Sequence, residues 1–200
     1  MPEYALSIVV IGRNEGDRLE RCLESVARMT FAGSFEVIYV DSASSDGSAS
    51  RAADLGAKVE LKGGRPSAGR ARNAGWRISS GPLVLFLDGD TIVDPDFVVR
   101  AFPEFQDTRV MVVSGHRREI HPEASIYSRV LDLNWSCPPG PAEFCGGDAL
   151  MRRTALEETD GFNADLIAGE EPDLCRRIRA RGGLILNSLQ YWRQLTIAKS

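Results

Sequence analysis

Short apolar runs alternate with helical segments along the first ninety residues of the chain. The apolar runs cover residues 6–11, 35–40, 58–61 and 83–87, and residues 68–78 predict a helix. Between the first two runs, apolar residues recur at the spacing of three and four positions that is typical of a helix. An alternation of this kind indicates βαβ units around a parallel sheet. The sequence therefore predicts an α/β domain.

Polar residues follow three of the predicted strands at the point where each strand ends. The first strand runs into residues 12–15, the second ends on Asp41, and the fourth ends on Asp88 and Asp90. Because the carboxyl ends of parallel strands meet at one edge of a sheet, we expect these side chains to converge. Open α/β sheets bind ligands at that edge. The sequence therefore predicts a nucleotide-binding crevice there.

Asp88 and Asp90 have the spacing of acids that hold a hard metal ion. Mg²⁺ and Mn²⁺ take oxygen ligands and are commonly bound by one or two carboxylates together with substrate phosphates. The pattern thus indicates a metal-bound phosphate ester. A plain turn is the alternative, because Asp-Gly pairs form turns and Asp94-Pro95 fits the N-cap and first position of a helix. An EF-hand loop is excluded, since its sixth and twelfth positions hold Val93 and Val99.

The composition is that of an ordinary globular chain and excludes several classes of protein. Its 200 residues are 43% hydrophobic and 26% charged, which fits one domain with a sizeable core. A formal net charge of −4 argues against a general nucleic-acid binder, because such proteins are usually basic. The first apolar run is too short for a signal peptide or a membrane span. We therefore expect a cytoplasmic protein that binds no nucleic acid.

The four cysteines lack the paired Cys-x-x-Cys spacing of a zinc site. We expect Cys22, Cys137, Cys145 and Cys175 to be reduced thiols, as is usual in the cytoplasm. A bridge between Cys137 and Cys145 is the alternative that the sequence leaves open.

The second half of the chain has a looser pattern. Residues 110–115 predict a strand. Residues 125–135 predict a helix within a charged, proline-rich segment that we expect to lie over the crevice. The paired glycines of Cys145-Gly146-Gly147-Asp148 allow close approach of the backbone to a ligand, and they fit a plain loop equally well.

A second pair of acids lies in the segment Gly169-Glu170-Glu171-Pro172. Proline is common at the first helical position, so Pro172 predicts a helix with Glu171 as its N-cap. The helix dipole favours ionised carboxylates at this end. Capping alone would account for both acids.

Five ordered motifs together resemble the family 2 glycosyltransferases, which are inverting enzymes of the GT-A fold. The motifs are VVIGRNE at 9–15, VDSASSDGS at 40–48, GRARNAG at 69–75, FLDGD at 86–90 and GEEPDL at 169–174. The resemblance implies a single α/β domain of the GT-A type, with a mostly parallel central sheet flanked by helices and a Rossmann-like nucleotide-binding half. Residues 1–115 would form that half, and residues 116–200 would hold the acceptor and the catalytic base.

The resemblance also implies a role for each matching residue. Asp88 would face the ribose, and Asp90 together with Asp88 would hold Mg²⁺ or Mn²⁺ against the diphosphate. A guanidinium suits contact with the base or the diphosphate, which implies that role for Arg72, with Arg65 as a second candidate. The remaining nucleotide-binding residues would be Ile11, Arg13, Glu15 and Asp41, and the donor-sugar and acceptor loop would be Gly146, Gly147 and Asp148.

Two features depart from the pattern of this family. Family members usually carry Glu-Asp where this chain has Glu170-Glu171, and that aspartate deprotonates the acceptor hydroxyl. By position Glu171 inherits the role of general base, and Glu170 is the second candidate. After residue 183, family members commonly continue through a strand with a metal-binding histidine, whereas this chain has only His116 and His121. We therefore expect an acceptor region that is minimal, supplied by a partner or missing.

Taken together, the motifs and the resemblance to this family imply a metal-dependent inverting glycosyltransferase that uses a nucleotide-diphosphate sugar, with UDP favoured. The acceptor would be a saccharide, a lipid-linked molecule or a small molecule, in polysaccharide or glycolipid assembly. Peripheral association with the inner face of the membrane is left open. The alternative is a nucleotide-sugar-binding pseudoenzyme or a subunit of a glycosyltransferase assembly. A nucleotidylyltransferase is disfavoured, because residues 12–15 lack its glycine-rich first loop.

Overall fold

The computed structural model describes residues 3–61, 67–119, 121–134 and 138–194. Its strands are β1 (Leu6–Gly12), β2 (Phe35–Asp41), β3 (Lys58–Leu61), β4 (Leu83–Asp88), β5 (Thr91–Ile92), β6 (Val110–Glu119), β7 (Gly140–Pro141), β8 (Ala149–Arg152) and β9 (Leu184–Gln194). Its helices are α1 (Asp17–Ala27), α2 (Ser48–Asp54), α3 (Ala68–Ile78), α4 (Phe97–Ala101), α5 (Ile126–Asn134), α6 (Arg153–Thr159) and α7 (Glu170–Arg179), and a 3₁₀ helix covers Phe102–Gln106.

The strands form one sheet in the order β3-β2-β1-β4-β8-β6-β9-β5, with β7 paired to β9. The four strands from β1 to β4 are mutually parallel, as the alternation of runs predicts. Beyond β4 the sheet is mixed, because β8 is antiparallel to both β4 and β6, whereas β6 and β9 are parallel. The predicted α/β domain is confirmed, and its second half adds antiparallel strands to the parallel half.

The crevice predicted at the strand ends lies where the strand order reverses. The chain places β2 and β3 on one side of β1 and then crosses to place β4 on the other side. A reversal of this kind opens a crevice at the carboxyl ends of the two central strands. Gly12 is paired with Asp41, and Ile11 with Asp88, so three strand ends lie at the same level. The predicted convergence of these polar ends is confirmed.

Both faces of the sheet are covered by helices. Side chains alternate along β1 and β4, so Val10 and Leu87 pack under α1 and α4, whereas Val9 and Phe86 pack under α3 and α7. All four side chains are fully buried. A strand buried on both faces requires a nearly continuous apolar run, which is the pattern that the sequence shows.

Two predicted helix starts are each wrong by two residues. Helix α7 begins at Glu170, and its N-cap is Gly169, whose φ of 84° is the left-handed conformation that glycine adopts readily. Glu171 is therefore inside the first turn and is not the N-cap. Helix α4 begins at Phe97, because the Asp94 carboxylate accepts a hydrogen bond from the backbone N–H of Asp96 and forms a turn instead of a cap.

Three of the cysteines are buried free thiols, as predicted. Cys145 Sγ lies 3.5 Å from Cys175 Sγ, within hydrogen-bond distance. Cys137, the other partner of the alternative bridge, lies outside the described residues. Within the described part of the chain, no helix combines the length and the apolar character needed to cross a membrane.

Candidate functional site

A cleft of about 420 Å³ opens at the carboxyl ends of β1 and β4. Of the residues predicted to bind a nucleotide or a metal, those that line it are Ile11, Arg13, Glu15, Asp88 and Asp90. One wall is the start of α3, and the exposed side chain of Ile167 lies in the lining as well. The cleft thus combines an apolar surface with carboxylates from two neighbouring strands.

Arg72 lies buried next to Asp88, outside the residues that line the cleft, and its side chain is only 2% exposed. Its Nη2 donates to Asp88 Oδ1 at 2.9 Å, and its Nη1 lies 3.0 Å from Oε1 of both Glu170 and Glu171. The guanidinium also lies 5.5 Å from the centre of the Phe162 ring, a favourable cation–π distance. One side chain on α3 therefore joins the end of β4 to the start of α7.

The carboxylates on the two sides of Arg72 differ in the direction in which their pKa is shifted. Burial would raise the pKa of Asp88, but the guanidiniums of Arg72 and Arg117 outweigh it and lower the pKa below its usual range. Burial raises the pKa of Glu171, although Arg72 opposes the rise. Asp88 therefore stays ionised near neutral pH, whereas Glu171 holds its proton to a higher pH than an exposed glutamate does.

A second arginine, Arg117 on β6, contacts Asp88 from the other side. Its Nη2 lies 3.2 Å from Asp88 Oδ2 and also forms a short ion pair with Asp148. The Asp148 carboxylate is buried and accepts hydrogen bonds from the Asp88 backbone N–H at 2.9 Å and from Thr91 Oγ1 at 2.9 Å. Asp148 therefore fixes the turn from Asp88 to Thr91.

The loops after β1 and β2 are joined by hydrogen bonds beside the cleft. The buried Asp41 carboxylate accepts from Ser44 N at 2.8 Å and from the Tyr39 hydroxyl at 3.2 Å. Asn14 N donates to Ser44 Oγ, and Ser45 N donates to Asn14 Oδ1. Asp41 thus orients the loop that forms one rim of the cleft.

Glu15 lies at the rim of the cleft and forms an ion pair with Arg18 at 2.9 Å. Burial raises the pKa of Glu15, and Arg18 opposes the rise. Arg65, the second candidate for contact with the phosphates, lies outside the described residues.

The carboxylates that line the cleft suit a divalent cation that is also bound by a diphosphate. Asp88 and Asp90 are both in the lining. In the described ranges, no group of three or more Asp, Glu, Cys or His side chains is placed to hold a metal. Two carboxylates suit Mg²⁺ or Mn²⁺ when the substrate phosphates complete the coordination. Asp90 and Asp88 are therefore the residues that would hold it, jointly with the ligand.

The structure brings together most of the predicted site residues, and it adds Arg117, which the sequence analysis did not single out. One chain of ion pairs joins Arg117 to five of these residues, which are Asp88, Arg72, Glu170, Glu171 and Asp148. Arg117 falls in a charged segment that is typical of a solvent-facing surface. The pairing of β6 with β8, which brings Arg117 to Asp148, leaves no local signal in the sequence.

Residues 7–160 match the model of a protein family described as Glycosyl transferase family 2. The chain belongs to this family. A curated relative of this family 2 chain is an N-acetylglucosaminyltransferase from Mesorhizobium japonicum, which is 30% identical. The similarity covers 86% of this chain and 45% of that relative, so the family 2 chain spans less than half the length of this relative.

Solved glycosyltransferases share the fold of this family 2 chain. A mannosyltransferase from Pyrobaculum calidifontis in complex with GDP-Man and Mn²⁺ superposes with a TM-score of 0.79 at 20% identity, covering 100% of this chain and 60% of that one. Glucosyl-3-phosphoglycerate synthase from Mycobacterium tuberculosis, with Mn²⁺ and UDP-Glc, gives 0.73 at 23% identity, covering 99% and 73%. The predicted GT-A fold is confirmed.

The two glycines of the loop before β8 offer a matched pair of substitutions. A Cβ at Gly147 would lie 2.5 Å from Arg72 Nη2 and 2.9 Å from Asp88 Oδ2, whereas a Cβ at Gly146 would meet nothing within 4 Å. We expect Gly147→Ala to lower the free energy of unfolding by about 1–3 kcal/mol, because the ion pair must shift. We expect Gly146→Ala to change it by less than about 0.5 kcal/mol. Urea unfolding measures both, and equal effects would contradict the close packing of Gly147 on the ion pair.

Proposed function

We propose that this chain is the catalytic domain of a metal-dependent, inverting glycosyltransferase that uses a nucleotide-diphosphate sugar, with UDP as the nucleotide. The observation that carries the proposal is the position of Arg72, which joins Asp88 at the cleft to Glu170 and Glu171. The donor would lie on the Asp88 side and the acceptor on the side of the glutamates. Membership of family 2 over residues 7–160 supports this proposal.

The nucleotide would bind in the cleft above β1 and β4. Ile11, Arg13 and Glu15 line the cleft and would contact the base and ribose, with Asp41 holding the adjoining loop in place. Asp88 is ionised and would accept hydrogen bonds from the ribose. The M. tuberculosis neighbour was solved with UDP-Glc, which supports UDP, and the P. calidifontis neighbour with GDP-Man, so GDP is the competing nucleotide.

Asp90, together with Asp88, would hold Mg²⁺ or Mn²⁺ against the diphosphate. When bound, the cation supplies positive charge that neutralises the departing nucleoside diphosphate. Both structural neighbours were solved with Mn²⁺, which supports a divalent cation here.

Glu171 would act as the general base. Its carboxylate would take the proton from the acceptor hydroxyl as that oxygen attacks the anomeric carbon from the face opposite the nucleotide. The bond from that carbon to the diphosphate oxygen then breaks, and the configuration is inverted. The Glu171 side chain is 16% exposed and that of Glu170 is 6% exposed, so Glu171 is the more accessible of the two. Arg72 would orient both carboxylates.

Residues 116–200 would supply the acceptor side, with Gly146, Gly147 and Asp148 in the loop that faces the donor sugar. The acceptor would be a saccharide, a lipid-linked molecule or a small molecule, in polysaccharide or glycolipid assembly. The relationship to an N-acetylglucosaminyltransferase supports a saccharide substrate. A cytoplasmic location and contact with the inner face of a membrane remain predictions.

A nucleotide-sugar-binding subunit without turnover is the second candidate. The ion pair between Glu171 and Arg72 favours it, because the guanidinium engages the carboxylate and opposes the rise in pKa that burial causes. The experiments on Glu171 below separate the two candidates.

The donor site predicts selective stabilisation by one nucleotide in the presence of Mn²⁺. We expect UDP with Mn²⁺ to raise the melting temperature more than GDP, CDP or dTDP, because UDP is the proposed donor nucleotide. A ligand at a hundred times its dissociation constant stabilises the native state by about 2.7 kcal/mol, so the shift is measurable. Asp90→Ala should abolish the shift, whereas Asp54→Ala, an exposed aspartate on α2, should keep it. A shift that survives in Asp90→Ala would contradict the assignment of Asp90.

Glu171→Gln removes the proposed base and keeps the shape of the side chain. We expect turnover to fall by about 10²–10⁴-fold, which is the usual contribution of a general base, with nucleotide binding retained. The exposed Glu158→Gln on α6 is the matched control and should turn over like the wild type. If Glu171→Gln turns over normally, the base is wrongly assigned. If the wild type binds nucleotide and does not turn over with any acceptor, the binding subunit is the better description.

The pH dependence of the rate reports the burial of Glu171. Burial raises the pKa of Glu171 above its ordinary value of 4.5. The base must be ionised to accept a proton, so kcat/KM should fall on the acid side at a pH above that value. A steady-state profile between about pH 4 and pH 8 measures it. An acid limb at or below the ordinary value would contradict the role of a buried glutamate.

A further inference from the structure

Arg117 is a partly buried arginine of the site, and the proposed reaction assigns it no role. Its side chain is 20% exposed and lies between the carboxylates of Asp88 and Asp148. These carboxylates raise the pKa of Arg117 above its usual range despite burial, so the guanidinium is permanently charged. A fixed positive charge therefore lies against Asp88, one of the two proposed metal-binding carboxylates.

An irregularity in the pairing of β6 lies next to Arg117. The pairing of β6 with β9 shifts between Ser114 and His116, where two residues of β6 span four residues of β9. Irregularities of this kind re-aim side chains and are frequent beside active sites. The neighbouring Arg118 bonds to Asp132 of α5 at 2.8 Å instead. Two adjacent arginines thus have separate partners, one inside the site and one outside it.

The two oxygens of Asp88 are each bonded to a different guanidinium. Arg72 holds Oδ1 at 2.9 Å, and Arg117 holds Oδ2 at 3.2 Å. A divalent cation that approached Asp88 would meet two positive charges at short range, and their repulsion opposes its binding. The negative charge of a bound diphosphate would offset this repulsion.

We propose that Arg117 is a positioning residue that keeps a free divalent cation from binding to Asp88, so that the cation enters the site together with the nucleotide diphosphate. The inference rests on the proposed function, since it assumes that the cleft binds a nucleotide with a metal. Through Arg117, binding of the cation would depend on binding of the nucleotide diphosphate.

The test is a titration with Mn²⁺ in which the free ion is measured by electron paramagnetic resonance, with and without UDP. We expect the wild type to bind Mn²⁺ weakly alone and at least about tenfold more tightly with UDP. Arg117→Gln should bind Mn²⁺ alone about tenfold more tightly than the wild type, because one of the opposing charges is gone. Arg117→Lys keeps the positive charge and should stay within about twofold of the wild type.

Arg118→Gln is the matched control, since it removes an adjacent arginine that does not contact Asp88 in the ion pairs described above. Its affinity for Mn²⁺ alone should equal that of the wild type. Arg117→Gln leaves the buried Asp148 carboxylate without its ion pair, which can prevent folding. In that case Asp148→Asn and the double variant Arg117→Gln/Asp148→Asn are compared, and the double variant should bind Mn²⁺ alone more tightly.

Two failures are distinguishable. If UDP promotes Mn²⁺ binding to the wild type, but removal of Arg117 leaves the affinity for Mn²⁺ alone unchanged or weaker, the role of Arg117 is overturned and the proposed function stands. If no tested nucleoside diphosphate promotes Mn²⁺ binding to the folded wild type, the proposed function fails, and the inference fails with it.

Discussion

A single buried guanidinium organises the site of this chain. Arg72 is 2% exposed, so its charge requires compensating carboxylates in fixed positions. Asp88, Glu170 and Glu171 supply them from β4 and α7, which are far apart in sequence. The positions of α3, of the turn after β4 and of the start of α7 therefore depend on each other. Removal of Arg72 would leave Glu170 and Glu171 without this ion pair, whereas Asp88 would keep its ion pair with Arg117.

The same ion pairs explain how Glu171 could serve as the proposed general base. Glu171 is longer than aspartate by one methylene, so its carboxylate needs an anchor to keep a defined position. Arg72 provides this anchor at 3.0 Å, while burial keeps the pKa of Glu171 raised. Gly147 packs directly on the pair formed by Arg72 and Asp88, so a Cβ at this position would require the pair to shift. The proposed base and the proposed donor site are therefore linked through the guanidinium of Arg72.

Much of this arrangement was predictable, because local patterns carry it. Apolar runs and helical spacing predict the parallel half of the sheet, and the rule for strand ends places Asp41 and Asp88 together. The start of α7 was misplaced, because a glycine with positive φ caps it in place of a polar side chain. The ion pair between Arg117 and Asp148 was not predicted, since it depends on the long-range pairing of β6 and β8. The local sequence does not indicate that pairing.

The most direct test of the central claim is a crystal structure of the chain with UDP-GlcNAc and Mn²⁺. The account predicts that the nucleotide occupies the cleft at the ends of β1 and β4, with Mn²⁺ between Asp90 and the diphosphate. The anomeric carbon should lie between the diphosphate and the Glu171 carboxylate. A nucleotide bound elsewhere, such as the groove of about 550 Å³ lined by Arg77, Asp160 and Arg176, would contradict it. So would a donor whose anomeric carbon faces away from Glu171.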